Sequence, residues 1–227
     1  MENKKYCALI IDDHPLIAEA YKSAFTFIES QESQCSFHIH IANNCDDACS
    51  IIEDFSTSNQ SIDIIFLDIS LPPSSDGKLL SGEDLGLLIN DKLPNSKIII
   101  STTFNDNYRV HSILKNVNPD GFLVKNDITP AELVMAIKEV ISDPPYYSKT
   151  VMKMLRNQVS HDYFLDDLDR KILYELSIGT KVKDLPNQIP LSLAAIQKRK
   201  SQITKVFGVD NSEDRDLILI AKEKGFI

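Results

Sequence analysis

The chain contains no tryptophan, only seven glycines in 227 residues, and no apolar run near the ~18 residues a membrane span requires. Scarce glycine excludes a glycine-repeat fibre, and the missing apolar run leaves no membrane partner in view. Positive charge is also short, with 24 Lys and Arg against 33 Asp and Glu. A net charge of −9 argues against binding nucleic acid over the whole surface. The four cysteines, Cys7, Cys35, Cys45 and Cys49, form no CxxC pair and have no histidine at zinc-finger spacing. They read as idle thiols of a reducing compartment. The polar start, residues 1–6, is not a signal peptide, so a cytoplasmic protein is expected. What is present is an ordinary globular balance, 43% hydrophobic and 25% charged, in a length that suits one large domain or two small ones.

Charge divides the chain. Residues 1–148 carry 10 bases against 22 acids, a net of −12, whereas residues 149–227 carry 14 against 11, a net of +3. Within residues 181–207 stand six bases and one acid. Asp143-Pro144-Pro145 marks the seam, because proline cannot continue a helix. The boundaries expected are a first domain at 1–143, a linker at 144–164 and a second domain at 165–227.

The first domain alternates strand and helix. Residues 6–11, 62–67, 97–100 and 121–124 are short continuous apolar runs, the mark of strands buried on both faces, and 36–42 alternates. Helical spacing fills 15–28, with Leu16, Ala20, Ala24 and Phe27 on one side, and also 46–55 and 130–141. Five strands with intervening helices predict a doubly wound parallel sheet, whose ligands bind outside the C-terminal strand ends. At those ends stand Asp12 and Asp13, then Asp68, then Ser101, Thr102 and Thr103, then Lys125. One acid at a strand end is usually a helix cap or a solvated turn residue. Several loop ends each carrying a suitable group point instead to a shared site. Converging carboxylates repel, and Mg²⁺ relieves this through carboxylates, waters and phosphate oxygens. A carboxylate can attack phosphorus, while an ammonium and a hydroxyl hold the phosphoryl oxygens.

Ile-Asp-Asp-His-Pro (11–15), Phe-Leu-Asp-Ile-Ser-Leu-Pro (66–72), Ile-Ile-Ser-Thr-Thr (99–103) and Gly-Phe-Leu-Val-Lys (121–125) resemble the receiver domain of bacterial response regulators, a CheY-like (flavodoxin-like) fold. The resemblance implies Asp68 as phosphoacceptor, with Asp12, Asp13, Asp68 and the Ser70 backbone carbonyl around Mg²⁺. Thr102 would be the switch hydroxyl, Lys125 the phosphate-binding lysine and Phe122 the aromatic that turns inward. The donor would be a sensor histidine kinase. One departure precedes the third helix: starting it at Gly82-Glu83-Asp84-Leu85, the better match, makes residues 73–81 a lengthened loop, whereas the competing match at Asp76-Gly77 needs no insertion but leaves residues 78–82 as an awkward helix start.

The second domain shows helical patterns at 168–177, 183–188, 193–207 and 213–224. The third begins after Ser192 and keeps Ile196, Ile203 and Phe207 for a core, leaving Gln197, Lys198, Arg199, Lys200, Gln202 and Lys205 facing outward, with Lys183 on the preceding segment. A basic helix after a short helix and a tight turn matches a helix-turn-helix, whose second helix enters the major groove. On an isolated segment this would be an ordinary solvated face. Residues 165–227 resemble the LuxR-type (NarL/FixJ) effector domain, with Ala195-Ile-Gln-Lys-Arg199 where that family usually has Thr-Val-Lys-x-His, and with Pro186 in the supporting helix.

The expectation is therefore a non-enzymatic two-domain response regulator that binds double-stranded DNA as a homodimer once phosphorylated, with the 213–224 helix and Leu217 at the dimer contact. The alternative is a phosphorylation-dependent regulator whose helical domain binds protein. A phosphatase with an aspartate nucleophile is disfavoured, since Asp12-Asp13-His14 lacks its Asp-x-Asp spacing.

Overall fold

The computed structural model describes residues 4–32, 34–58, 60–103, 107–156, 164–209 and 214–227. These group into two compact units, one of residues 1–105 and 113–156, the other of 106–112 and 157–227.

The first unit is built on a parallel sheet. Strands β1 (Lys4–Ile11), β2 (Cys35–Ala42), β3 (Ile64–Asp68), β4 (Lys97–Thr102), β5 (Gly121–Val124) and β6 (Tyr146–Tyr147) lie in the order β2-β1-β3-β4-β5-β6. Every neighbouring pair is parallel. β3 and β5 are buried along their whole length, as their unbroken apolar runs require. The sequence pattern predicts five strands. The sixth, two tyrosines after the Pro144-Pro145 pair, is too short to carry a period.

Helix α1 (Pro15–Gln31) and helix α5 (Pro130–Ser142) share one face of the sheet, where Tyr21, Phe25, Ile28, Ala136, Ile137 and Val140 close over Ala8, Ile10, Phe66 and Leu123. The buried stripe of α1 is Ala18, Tyr21, Ala24, Phe25 and Ile28. This corrects the expected face, since Leu16 is 86% exposed and Phe27 53%. The helix carries two apolar stripes about one residue apart, and only one meets the sheet. On the other face α2 (Cys45–Ser58) packs against α3 (Gly82–Lys92). α4 (Asn107–Val117) follows β4 and reaches α3 where Val117 meets Gly86. α6 (Lys149–Arg156) follows β6. The expected linker thus contains a strand and a helix, and its stretch 157–163 lies outside the described residues.

The second unit holds α7 (Asp167–Ser177), a 3-10 helix (Val182–Asn187), α8 (Leu193–Val206) and α9 (Asp214–Glu223). Pro186 sits inside the 3-10 segment, which is why a full α-helix does not form there. Ile172, Leu176, Leu185, Ile189 and Ile196 make one apolar cluster. Leu165, Leu173, Ile203, Phe207, Leu217 and Phe226 belong to another. Leu217 is fully buried, so it is a core residue and not an exposed dimer contact; the outward leucine of α9 is Leu219, 54% exposed. Glu213, the expected start of that helix, lies outside the described residues. Among the described residues, no helix is long and apolar enough to cross a membrane.

Candidate functional site

The C-terminal ends of four strands meet beside the point where strand order reverses, between β1 and β3. Asp12 follows β1, Asp68 is the last residue of β3, Thr102 the last of β4, and Lys125 follows β5. Asp12, Asp68 and Thr102 are buried. Ligand atoms of Asp12, Asp13, His14 and Asp68 all lie within 4.8 Å of one another.

Lys125 ties the acids together. Its Nζ donates to Asp68 Oδ2 at 2.7 Å and lies 2.9 Å from Asp12 Oδ2. The other Asp68 oxygen, Oδ1, accepts the Ser70 backbone N–H at 2.9 Å. Asp12 Oδ1 accepts the His14 N–H at 2.9 Å. Asp12 does not cap α1, whose N-cap is His14 without a side-chain bond. Burial raises the Asp68 carboxyl above the ordinary range, against the hydrogen bond and charge of Lys125. Burial also opposes the Lys125 ammonium, yet its bonds to Asp68 and Asp12 outweigh that and raise its pKa. Two buried carboxylates and the half-exposed Asp13 thus face one ammonium, an excess of negative charge.

The residues fit a hard divalent cation. Asp13 Oδ1 is a buried oxygen with no aligned hydrogen-bond donor, although His14 Nδ1 lies 2.6 Å away. Asp12 Oδ2 likewise has only the ion contact of Lys125. Three carboxylates from two adjacent loop ends form an oxygen-rich set of the kind Mg²⁺ takes with waters and phosphate.

Several supporting residues carry no role in the sequence reading. Gly82 starts α3 so close to β3 that a Cβ there would stand 1.9 Å from the Asp68 carbonyl oxygen. Tyr21 donates its hydroxyl to Ser101 Oγ at 2.6 Å and stacks on Phe66, beneath the site. The signal for Tyr21 was its place on the Ala18–Phe25–Ile28 stripe. Phe122 is fully buried on β5. Asp127, two residues past Lys125, accepts from Ser148 Oγ at 2.7 Å and from the Thr150 N–H and hydroxyl, each at 2.8 Å. The lengthened loop is pinned to α2, where Asp46 accepts from the Ser75 N–H and hydroxyl, and to α3, where Asp84 accepts the Leu80 N–H.

The thiols are far from reactive thiolates: burial pushes Cys7 up to about 11 and Cys45 up to about 12.

In the second unit Ser192 caps α8 by accepting the Ala195 N–H. The exposed residues of α8 are Leu193, Ala194, Gln197, Lys198, Ser201 and Lys205. Two of the expected outward bases are committed elsewhere. Arg199 Nη1 lies 2.8 Å from Asp166 and 2.9 Å from Asp169, and Lys200 pairs with Asp214. Gln202 is half-buried, while Lys183 is exposed on the 3-10 segment. Ser201, absent from the sequence-based set, lies on the exposed face.

Residues 8–138 match the family model described as response regulator receiver domain. The chain is 21% identical over 208 residues to the oxygen regulatory protein NreC of Staphylococcus epidermidis, covering 86% of this chain and 88% of that one. It is 22% identical over 229 residues to the transcriptional regulatory protein MctR of Rhizobium johnstonii, covering 100% and 97%. Among solved structures, RcsB of Salmonella enterica serovar Typhimurium, bound to promoter rprA in the presence of the phosphomimetic BeF3-, has a TM-score of 0.66 at 18% identity. That match covers 96% of this chain and 99% of the other.

Proposed function

Because the chain belongs to the response regulator receiver family, in its NarL/FixJ branch, we propose that it is phosphorylated on Asp68 by a sensor histidine kinase in a Mg²⁺-dependent reaction. In this reading residues 1–143 are the receiver, 144–164 the linker and 165–227 a helix-turn-helix that then binds double-stranded DNA as a homodimer. The observation that carries it is the meeting of Asp12, Asp13, Asp68 and Lys125 at one sheet edge.

The residues suit the chemistry. Ser70 and Lys125 fix the two Asp68 oxygens, so one lone pair can be aimed at phosphorus. An O–P bond forms to Asp68, the donor's N–P bond breaks, and the leaving imidazole takes a proton. Lys125 and the Thr102 hydroxyl then hold phosphoryl oxygens by charge-assisted bonds. Asp12, Asp13, Asp68 and the Ser70 carbonyl would hold Mg²⁺, which supplies neutralisation of the phosphoryl oxygens. Phosphorylation shifts a two-state receiver, with Thr102 and the buried Phe122 as the moving pair.

DNA binding is supported by the exposed Gln197, Lys198 and Lys205 on α8 and by the promoter-bound state of the structural relative. The test is selection of bound DNA from a random duplex pool, with and without a small phosphodonor. An enriched sequence retained better by the phosphorylated chain is expected. No enrichment in either condition would contradict the DNA reading and favour a protein target.

A further inference from the structure

Arg199 is the most basic-looking element of the expected DNA face, yet it points into the second unit. Its Nη1 reaches both Asp166 oxygens, at 2.9 and 2.8 Å, and Asp169 Oδ1 at 2.9 Å. Asp169 is fully buried, and a buried carboxylate requires a counter-charge. The same two acids form the capping box of α7, Asp166 accepting the Asp169 N–H and Asp169 accepting the Asp166 N–H. One cation therefore joins the N-terminus of α7 to the middle of α8.

That joint sets the rotation of α8. Successive helix residues are about 100° apart, so turning Arg199 inward dictates which neighbours face out. Ala194, Gln197, Lys198 and Ser201 follow at the spacing of one helix face and are exposed or open to solvent. Lys200 is turned aside to Asp214.

We propose that Arg199 is a positioning residue: it does not meet DNA, but locks α8 so that Gln197, Lys198 and Ser201 reach the base edges and Lys205 the phosphates. The inference rests on the DNA reading above. It implies a half-site read by a glutamine amide, which suits adenine, and by a lysine ammonium, which suits guanine.

The test measures affinity of the full chain for a selected duplex and for a random-sequence duplex of the same length, across salt. Arg199→Gln should weaken selected-duplex binding about tenfold or more, towards the random duplex, with the wild-type salt slope. Arg199→Lys, which keeps the charge, should recover most of it. Lys205→Ala should flatten the slope by roughly 0.9, one phosphate contact. Asp166→Asn keeps every base and removes half of the lock, so it guards against a misfolded Arg199 variant. It should weaken binding, whereas a guanidinium lying on phosphate would bind as well or better with one acid fewer nearby. A flattened slope in Arg199→Gln, or unchanged binding in both Arg199→Gln and Asp166→Asn, overturns the inference. Failure of the wild-type chain to bind any duplex instead overturns the DNA reading, and the inference with it.

Discussion

Lys125 and Asp127, two residues apart after β5, serve two different partners: Lys125 Nζ holds Asp68 at 2.7 Å, and Asp127 holds Ser148 and Thr150 at 2.7 and 2.8 Å. The turn that supplies the counter-charge of the acidic pocket is also the turn that fastens the start of α6.

Removing Lys125 leaves two buried carboxylates without their ammonium. Lys125→Ala should lose roughly 3–5 kcal/mol in urea unfolding at neutral pH. Burial already raises the Asp68 pKa, and loss of the lysine raises it further, so the folded variant binds protons more readily than the unfolded chain. Its deficit should therefore shrink as pH falls towards 5. A deficit that is independent of pH would contradict the pairing.

Asp127 has the opposite sign. Burial disfavours its carboxylate, but the Ser148 and Thr150 bonds outweigh this and hold its pKa below the ordinary value. Such a group stabilises the fold above the unfolded carboxyl pKa, about 4, and the contribution is lost as pH falls through the lower folded value. Asp127→Asn should cost about 1–2 kcal/mol at neutral pH and flatten the acid limb of the stability profile. The acid limb of the wild type and variant, followed by circular dichroism, checks it.

The sheet and pocket were legible because parallel strands buried on both faces read as continuous apolar runs, each ending on a polar group. Side-chain direction on helices was less so. Helix α1 has two apolar stripes, and Leu16 and Phe27 lie on the one that stays open. Lys198, Arg199 and Lys200 look equivalent along the chain, but the partners of Arg199 lie 30 and 33 residues away. Only tertiary pairing decides which of three adjacent bases remains outside. Gly82 was visible as a helix start, but its contact with the Asp68 carbonyl was not, because that requires the packing of α3 on β3.

Gly82→Ala tests that packing. With 1.9 Å available to a methyl group, α3 must shift away from the end of β3. A loss of about 1–3 kcal/mol is expected, together with slower acceptance of a phosphoryl group. An unaltered stability and rate would show that the approach has slack.

On α9 the two leucines separate. Leu217→Ala should cost about 2–5 kcal/mol, since Leu217 is fully buried in the second unit. Leu219→Asp should leave the melting temperature nearly unchanged, and should lower cooperative binding to paired half-sites if the outward face of α9 joins two copies. Melting curves and binding stoichiometry distinguish them.

The most direct measurement is the intact mass of the chain after incubation with a small phosphodonor, for wild type and Asp68→Asn, with Mg²⁺ and with a chelator. The wild type should gain one phosphoryl group only when Mg²⁺ is present, and Asp68→Asn none. An equal gain in Asp68→Asn, or a gain unaffected by the chelator, would contradict the assignment of Asp68 as the metal-dependent acceptor.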